Sequence, residues 1–575
     1  MIEINSSTLI STETPFKIFA GPGAGKTYWL INHIENVLHN SKRLTTTTKI
    51  ASITYTNIAV EEIQSRLGDS DDRVYVSTIH NFLYKFIVKP YGFLLKDNSG
   101  ANLINLRNLD GHDEHIPNSR FVYDWKTQNK LNYIKDDKKI YECLQDLDWH
   151  LNADSSIDLG PRHTWKRKIG RYWIKKELFV DYKKRYWRIG TIHHEDVLYF
   201  AYKIISENPE VLEYVNLMFP YMFIDEFQDT NPIQTEIVKL ISKNNTIVGV
   251  IGDAEQSIYK FQGATRQDFV DFKISGINNY QIKGNRRSTN KIINVLDNIR
   301  YDRVKQTPIR NIEGNMPTIY VGDKMKVIEY LTKSYPEISI LTRNNETVGQ
   351  IKNDNNKNIG NLWDSSRGLD SNYERQKLLY NSIYAAELCL LGYYKDAVRL
   401  TSKIFYKYKD GTKIQKVKKR ELAIVLIDLL VSQKQNNSSK TLFDFYNSLF
   451  EYFLTNYQIK IGSKITRGKY KEFSENNIYA DLVQALRIKD DTSRIKTIHK
   501  AKGAEYENVL VVMENSIELQ YVLNPEKHQN EDDSRIYYVA FSRAKDNLFI
   551  TVPKEFTKTD KEKFEMIGFH IKNEL

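Results

Sequence analysis

Cysteine is almost absent from the 575 residues: Cys143 and Cys389 are too few for a disulfide framework. Long apolar runs are missing too. The longest, residues 422–427, is stopped by Asp428, far short of the roughly 18 residues that a membrane span needs, so no membrane association is expected. The opening Met1 to Asn5 has neither the basic start nor the apolar stretch of a signal peptide, and a cytoplasmic protein is expected. No sign of charge dominates, since 83 Lys+Arg face 72 Asp+Glu for a net of +11. Apolar residues are not scarce. They make up 41% of the chain, with 37 Tyr, 25 Phe and 7 Trp among the aromatics, which excludes a mainly disordered chain. The length implies three or four domains at about 100–200 residues each.

The basic excess is concentrated. Residues 162–188 hold eleven Lys or Arg and two acids, a local net of +9, so the other 548 residues net +2. Trp165, Trp173 and Trp187 are interleaved there with cations such as Arg167 and Lys175. Cations neutralise phosphates and aromatic faces stack on bases, at about 1–3 kcal/mol per base, so these five residues are candidate DNA contacts. The same spacing also fits an amphipathic helix with aromatics in the core and lysines in water, and the sequence leaves both readings open.

Strand-like segments at 16–20, 50–54, 222–225, 247–251, 338–342, 494–498, 509–513 and 548–552 alternate with helical patterns. This is an α/β signature, with polar residues placed where parallel strands end. Two stretches, about 85–190 and 355–485, lack the strand rhythm and read as mainly helical insertions.

The first strand runs into Ala20, Gly21, Pro22, Gly23, Ala24, Gly25, Lys26 and Thr27, and a helical pattern comes next. A glycine-rich turn between strand and helix lets backbone N–H groups curl round phosphates, with Lys26 on the β/γ charge and the Thr27 hydroxyl as a Mg²⁺ ligand. The first position is Ala where the strict phosphate-loop pattern has Gly. Some 200 residues later a buried strand delivers Asp225 and Glu226, a metal-holding acid and then one able to orient and deprotonate water. These residues read as a site for a nucleotide's phosphates and Mg²⁺.

Six further segments occur in order. They are 52–59 (Ser-Ile-Thr-Tyr-Thr-Asn-Ile-Ala), 77–80 (Ser-Thr-Ile-His), 252–264 (Gly-Asp-Ala-Glu-Gln-Ser-Ile-Tyr-Lys-Phe-Gln-Gly-Ala), 285–289 (Asn-Arg-Arg-Ser-Thr), 497–506 (Thr-Ile-His-Lys-Ala-Lys-Gly-Ala-Glu-Tyr) and 535–544 (Arg-Ile-Tyr-Tyr-Val-Ala-Phe-Ser-Arg-Ala). With 225–230 they resemble the motifs of superfamily 1A helicases, the UvrD/Rep/PcrA group, over nearly the whole chain.

That resemblance implies two RecA-like domains, each interrupted by an insertion, with ATP in the cleft between them. The expected boundaries are 1–84 and 191–280 for the first domain around an insertion at 85–190. For the second they are 281–354 and 489–575 around a shortened insertion at 355–488. Gln256 is implied as a γ-phosphate sensor, Arg287 and Arg543 as arginines supplied from the second domain, and Glu505 as lying near the ribose. Thr56, Asn57, His80, Tyr259 and Phe261 are implied on the path of single-stranded DNA.

The chain departs from the family in two places that bear on base recognition. No glutamine precedes Gln64, although the family reads adenine with one ahead of the phosphate loop. Arg286 stands where an aromatic residue usually stacks on the base, and a guanidinium can take that role. The expected activity is ATP-dependent translocation or unwinding on single-stranded DNA and its junctions with duplex, 3′ to 5′ by resemblance alone. The compact outline is similar to helicase-like subunits of Gabija-type antiphage systems, which pair with an OLD-type nuclease. The competing expectation is a nucleotide- or DNA-sensing subunit that controls such a nuclease without unwinding.

Overall fold

The computed structural model describes residues 1–68, 72–97, 99–115, 117–260, 263–352, 362–370, 372–390, 392–405, 408–410, 412, 414–485, 494–528, 532–554 and 556–572. By its contacts the chain divides into two compact units. One comprises residues 1–117, 125–344 and 494–575; the other comprises 118–124 and 345–493.

The first unit carries two parallel sheets. Seven strands build the first: β1 (Ile2–Ile4), β2 (Phe16–Ala20), β3 (Ile50–Thr54), β4 (Val74–Thr78), β5 (Tyr221–Ile224), β6 (Ile247–Gly252) and β7 (Asn278–Ile282). Their order across the sheet is β1-β7-β2-β6-β5-β3-β4. Every residue of β3, β5 and β6 is buried, as expected of central strands covered on both faces. The register sets Gly249 beside Phe16, and a Cβ on Gly249 would lie 2.1 Å from the Phe16 ring. Only glycine lets these two strands pack there.

The second sheet takes β8 (Thr318–Val321), β9 (Ser339–Thr342), β10 (Ile495–Thr497), β11 (Tyr506–Val512), β12 (Ala544–Val552) and β13 (His570–Lys572), in the order β10-β9-β11-β12-β8-β13. Its core joins Ile319, Leu341, Val511 and Ile550 to Ile292 and Leu296 of the helix Asn290–Ile299 and to Tyr537 of the helix Asp532–Phe541. Non-sequential order in both sheets requires crossovers, and these bring the carboxyl ends of many strands to one edge, where the motif loops lie. The two RecA-like sheets flanked by helices are therefore present as the sequence implies.

Residues 85–190 include the helices Asp137–Gln145 and Glu177–Trp187. They also contribute two antiparallel hairpins, Leu147–Leu151 with Ile157–Pro161 and Lys168–Ile169 with Tyr172–Trp173. The hairpins escape a reading for strand rhythm because their strands are short and mix polar with apolar residues.

The second unit is built of helices among its described residues, including Tyr373–Leu390, Tyr394–Ser402, Lys416–Ser432 and Leu442–Tyr457. Leu378, Leu422, Leu426, Phe445 and Phe453 form its core. No described helix is long and apolar enough to cross a membrane.

Candidate nucleotide cleft and nucleic-acid track

The loop after β2 turns through Gly23 (φ 67°) and Gly25 (φ 80°), a left-handed backbone that side chains resist. Gly25 caps the helix Lys26–Asn40, so Lys26 and Thr27 open a fifteen-residue helix whose first N–H groups and dipole face the loop. Pro22 and Ala24 are buried beneath it.

At the end of β5, Asp225 and Glu226 enter the same region. Glu226 is held at φ 53°, a strained backbone for a non-glycine residue and one that clusters at functional sites. Its carboxylate lies 3.8 Å from Lys26 Nζ and accepts a hydrogen bond from the Gln228 amide. Burial works to raise the Glu226 carboxyl, but Lys26, Lys502 and the Gln228 bond outweigh it and hold it at about 2. Asp225 goes the other way: burial and the adjacent Glu226 push it up to about 7. Among the described residues no basic side chain bonds Asp225. Its carboxylate accepts from the Glu226 backbone N–H, 2.9 Å away. A buried carboxyl with an uncompensated charge fits a divalent cation, and with the Thr27 hydroxyl it would hold Mg²⁺.

The second sheet reaches into this cleft. Arg543 Nη2 donates to Gln256 Oε1 at 2.8 Å while Gln256 Nε2 donates to Asp253 at 2.8 Å. Burial lowers the Arg543 guanidinium to about 9, so it stays charged at neutral pH. Arg287 donates to Glu505 at 2.8 Å and to the Ser542 carbonyl at 2.9 Å, and Lys545 also pairs with Glu505 at 2.7 Å. Arg286 donates from its backbone to the Gly23 carbonyl and from its side chain to Ser6 Oγ. Arg286, Arg287, Glu505 and Arg543 thus stand around the phosphate loop and the acids.

Lys502 does not stand out in the sequence, yet it bridges the sheets. Its Nζ lies 2.7 and 2.6 Å from the two Asp229 oxygens and 2.6 Å from the Gln256 carbonyl. It also sits 4.8 Å from the centre of the Tyr259 ring. Tyr259 in turn stacks on Tyr55 at 5.0 Å and 25°. Lys502 and Tyr55 both stand inside motif segments, so position is the available signal; what the sequence lacks is the partner. Thr56 caps the helix Asn57–Leu67 by accepting from the Ala59 N–H, and Thr56 and Asn57 are exposed beside Tyr55. His80 packs near His112 and His194; burial, then those two rings, lower it to about 3. Phe261 lies outside the described residues.

The basic strip changes character. Trp165 and Trp173 are 66% and 57% exposed, under Lys166 and Arg167 respectively, and Lys175 is exposed. Arg167 also donates twice to the Ile174 carbonyl. Trp187 is a correction: it is 1% exposed and its indole N–H donates to Asp196 at 3.1 Å, so no base can stack on it. Arg162, Lys166 and Lys176 pair with Asp148, Asp146 and Asp158, and Lys183 is fully buried against Glu195 and Asp196. The exposed cations that remain outside these pairs are Lys168, Arg171, Lys175 and Arg188, a smaller field than +9 suggests.

The phosphate-loop cleft with cations from a second sheet is matched by family models. The UvrD/REP helicase N-terminal domain matches residues 3–275, and the UvrD-like helicase C-terminal domain matches residues 371–555. The chain belongs to the UvrD-like helicase family. Among its relatives, the ATP-dependent DNA helicase PcrA of Staphylococcus aureus is 23% identical over 630 aligned positions, covering 95% of this chain and 82% of the relative. PcrA of Staphylococcus epidermidis is 23% identical over 627 positions with the same coverage. This UvrD-like helicase carries two parallel sheets, and Trp173 is exposed in the hairpin Lys168–Ile169/Tyr172–Trp173.

Proposed function

We propose that this UvrD-like helicase uses ATP to move along single-stranded DNA, 3′ to 5′, and to open duplex at a junction. One observation carries the reading: Lys502 binds Asp229 and Gln256 of the hydrolytic cleft and at the same time covers Tyr259, which stacks on Tyr55. A change at the phosphates is thereby one side chain away from an aromatic pair able to take up bases.

In the proposed cycle, Lys26 and the phosphate-loop N–H groups hold the β/γ-phosphates, and Mg²⁺ held by Thr27 and Asp225 supplies neutralising charge when bound. Glu226, ionised at neutral pH, orients the attacking water and takes its proton. Arg287, ahead of the helix Asn290–Ile299, and Arg543, just before β12, reach the equatorial oxygens, where charge develops. Gln256, held between Asp253 and Arg543, reads whether the third phosphate is present. Closing and opening of the two sheets then changes the Tyr55–Tyr259 stack, with Thr56, Asn57 and His80 along the strand. Trp165, Trp173, Arg167 and Lys175 form a second, outlying contact.

The test is ATP hydrolysis and strand displacement on 3′- and 5′-tailed duplexes. Glu226→Gln should bind nucleotide and lower turnover by roughly 100-fold or more; wild-type turnover in that variant would remove Glu226 as the base. Displacement confined to 5′ tails would reverse the polarity. The alternative, a subunit that senses nucleotide and controls an OLD-type nuclease in antiphage defence, is favoured by the Arg286–Ser6 bond, which commits the base-reading position to the protein itself. DNA-stimulated hydrolysis without displacement, together with a co-purifying nuclease, would support it.

A further inference from the structure

Arg300 ends the helix Asn290–Ile299 on the second sheet, yet its guanidinium lies at the first sheet's motif loops. Its side chain is 5% exposed. Nη1 donates to the Tyr538 hydroxyl at 2.7 Å, and Nε and Nη2 hold both Asp302 oxygens at 2.8 and 2.7 Å. Nη2 also stands 3.5 Å from Asp253 Oδ1. The approach is close enough that a Cβ on Gly21 of the phosphate loop would meet Nη1 at 3.2 Å.

Asp253 links this arginine to the hydrolytic cleft. Its other oxygen accepts from Gln256 Nε2 at 2.8 Å, and Gln256 Oε1 accepts from Arg543 at 2.8 Å. An amide has one donating and one accepting end, so the order Asp253, Gln256, Arg543 settles which way the Gln256 amide faces. Asp253 is 2% exposed and must keep its charge satisfied.

We infer that Arg300 is a positioning residue for hydrolysis: it anchors Asp253 to the second sheet and so keeps the Gln256 amide in register with Arg543. This rests on the reading of the cleft as the site of ATP hydrolysis. Arg300 holds no phosphate itself. Its loss misorients the sensor and leaves the nucleotide's own contacts in place.

The experiment compares full-length Arg300→Gln, Arg300→Lys, Asp253→Asn and the Arg300→Gln/Asp253→Asn double variant with wild type. Single-stranded-DNA-stimulated kcat should fall about 10- to 100-fold in Arg300→Gln while KM for ATP stays within about threefold. Arg300→Lys should recover part of the rate, and the double variant should be no slower than the slower of Arg300→Gln and Asp253→Asn, since Arg300 reaches Gln256 only through Asp253. Hydrogen exchange of the amides of residues 253–257, measured without nucleotide, should quicken roughly tenfold in Arg300→Gln.

Wild-type kcat in a folded Arg300→Gln, effects that add in the double variant, or unchanged exchange would overturn the inference. If Arg300→Gln does not fold, Asp253→Asn and Arg300→Lys decide by the same kcat and exchange criteria. A wild-type protein with no ATP hydrolysis would sink the reading of the cleft instead, and exchange at 253–257 would still decide the role of Arg300.

Discussion

Two buried clusters of charge lie in the same compact unit and do opposite work. On the helix Glu177–Trp187, Lys183 Nζ sits 2.6 Å from Glu195, 2.9 Å from Asp196 and 2.9 Å from His193 Nδ1. Asp196 also accepts from the indoles of Trp149 and Trp187 and from the His193 N–H. His115 and His193 face each other at 3.2 Å, and with Glu195 they have the spacing of metal ligands. Lys183 already supplies the positive charge there, so the cluster needs no cation from outside. In the cleft, Lys26 keeps 3.8 Å from Glu226, and Asp225 is bonded by no described cation. Tight pairing marks the cluster that holds the fold together, and the looser pairing of Lys26 with Glu226 and the unpaired Asp225 suit the phosphate and metal roles proposed for them.

The sharpest test exchanges the two lysines for methionine. Lys183→Met leaves Glu195 and Asp196 buried without their cation and should cost about 3–5 kcal/mol of stability. Lys26→Met should leave the melting temperature near wild type and remove DNA-stimulated ATP hydrolysis, with DNA binding retained. A stable, active Lys183→Met protein, or an unfolded Lys26→Met protein, would break the distinction.

Next in size is Trp187→Ala against Trp173→Ala. Trp187 fills the core and donates to Asp196, so its truncation should cost about 3–5 kcal/mol of stability, measured by denaturant unfolding. Trp173→Ala should leave stability unchanged within about 0.5 kcal/mol.

Asp225 sharpens the comparison through pH. Its folded carboxyl stands at about 7, above the ordinary range, so its contribution to stability is fully present only below its unfolded pKa and is lost as pH rises through the folded one. Without Mg²⁺, Asp225→Asn should therefore be more stable than wild type, by roughly 1–3 kcal/mol above pH 7, with the gain shrinking toward pH 4. Mg²⁺ should narrow the gap by stabilising wild type alone. A gain independent of pH would mean that Asp225 is not held as a strained acid.

The contrast also shows what a sequence can carry. β2, β3, β5, β6 and β9–β12 are legible because most are apolar throughout, and the phosphate loop because its glycines sit between a strand and a helix. Strands β1, β4, β7, β8 and β13 are not: three are sheet edges, and Asn278–Ile282 is largely polar. Asp225, Glu226, Gln256, Arg287 and Arg543 can be found from their motifs. Arg300 and Tyr55 escape because their meaning lies in partners more than 200 residues away, Tyr538 and Tyr259. The strip at 162–188 misleads for the same reason. A window counts its cations but not the acids at 146, 148, 158, 195 and 196 that the fold brings to them.

That leaves a small surface where the strip still bears on DNA, and the smallest predicted effect tests it. Trp165 and Trp173 stand exposed on and beside the hairpin Lys168–Ile169/Tyr172–Trp173 with Lys175 nearby. Replacing both tryptophans by alanine should weaken single-stranded DNA binding by about 1–3 kcal/mol per base unstacked. Lys175→Glu should lower the slope of log affinity against log salt by about one. Lys176, held to Asp158 at 3.0 Å, should change that slope less when replaced, because its charge is already paired. If Lys176→Glu and Lys175→Glu shift the slope equally, the internal ion pairs do not shield the strip, and the whole run from 162 to 188 acts on DNA as a single field.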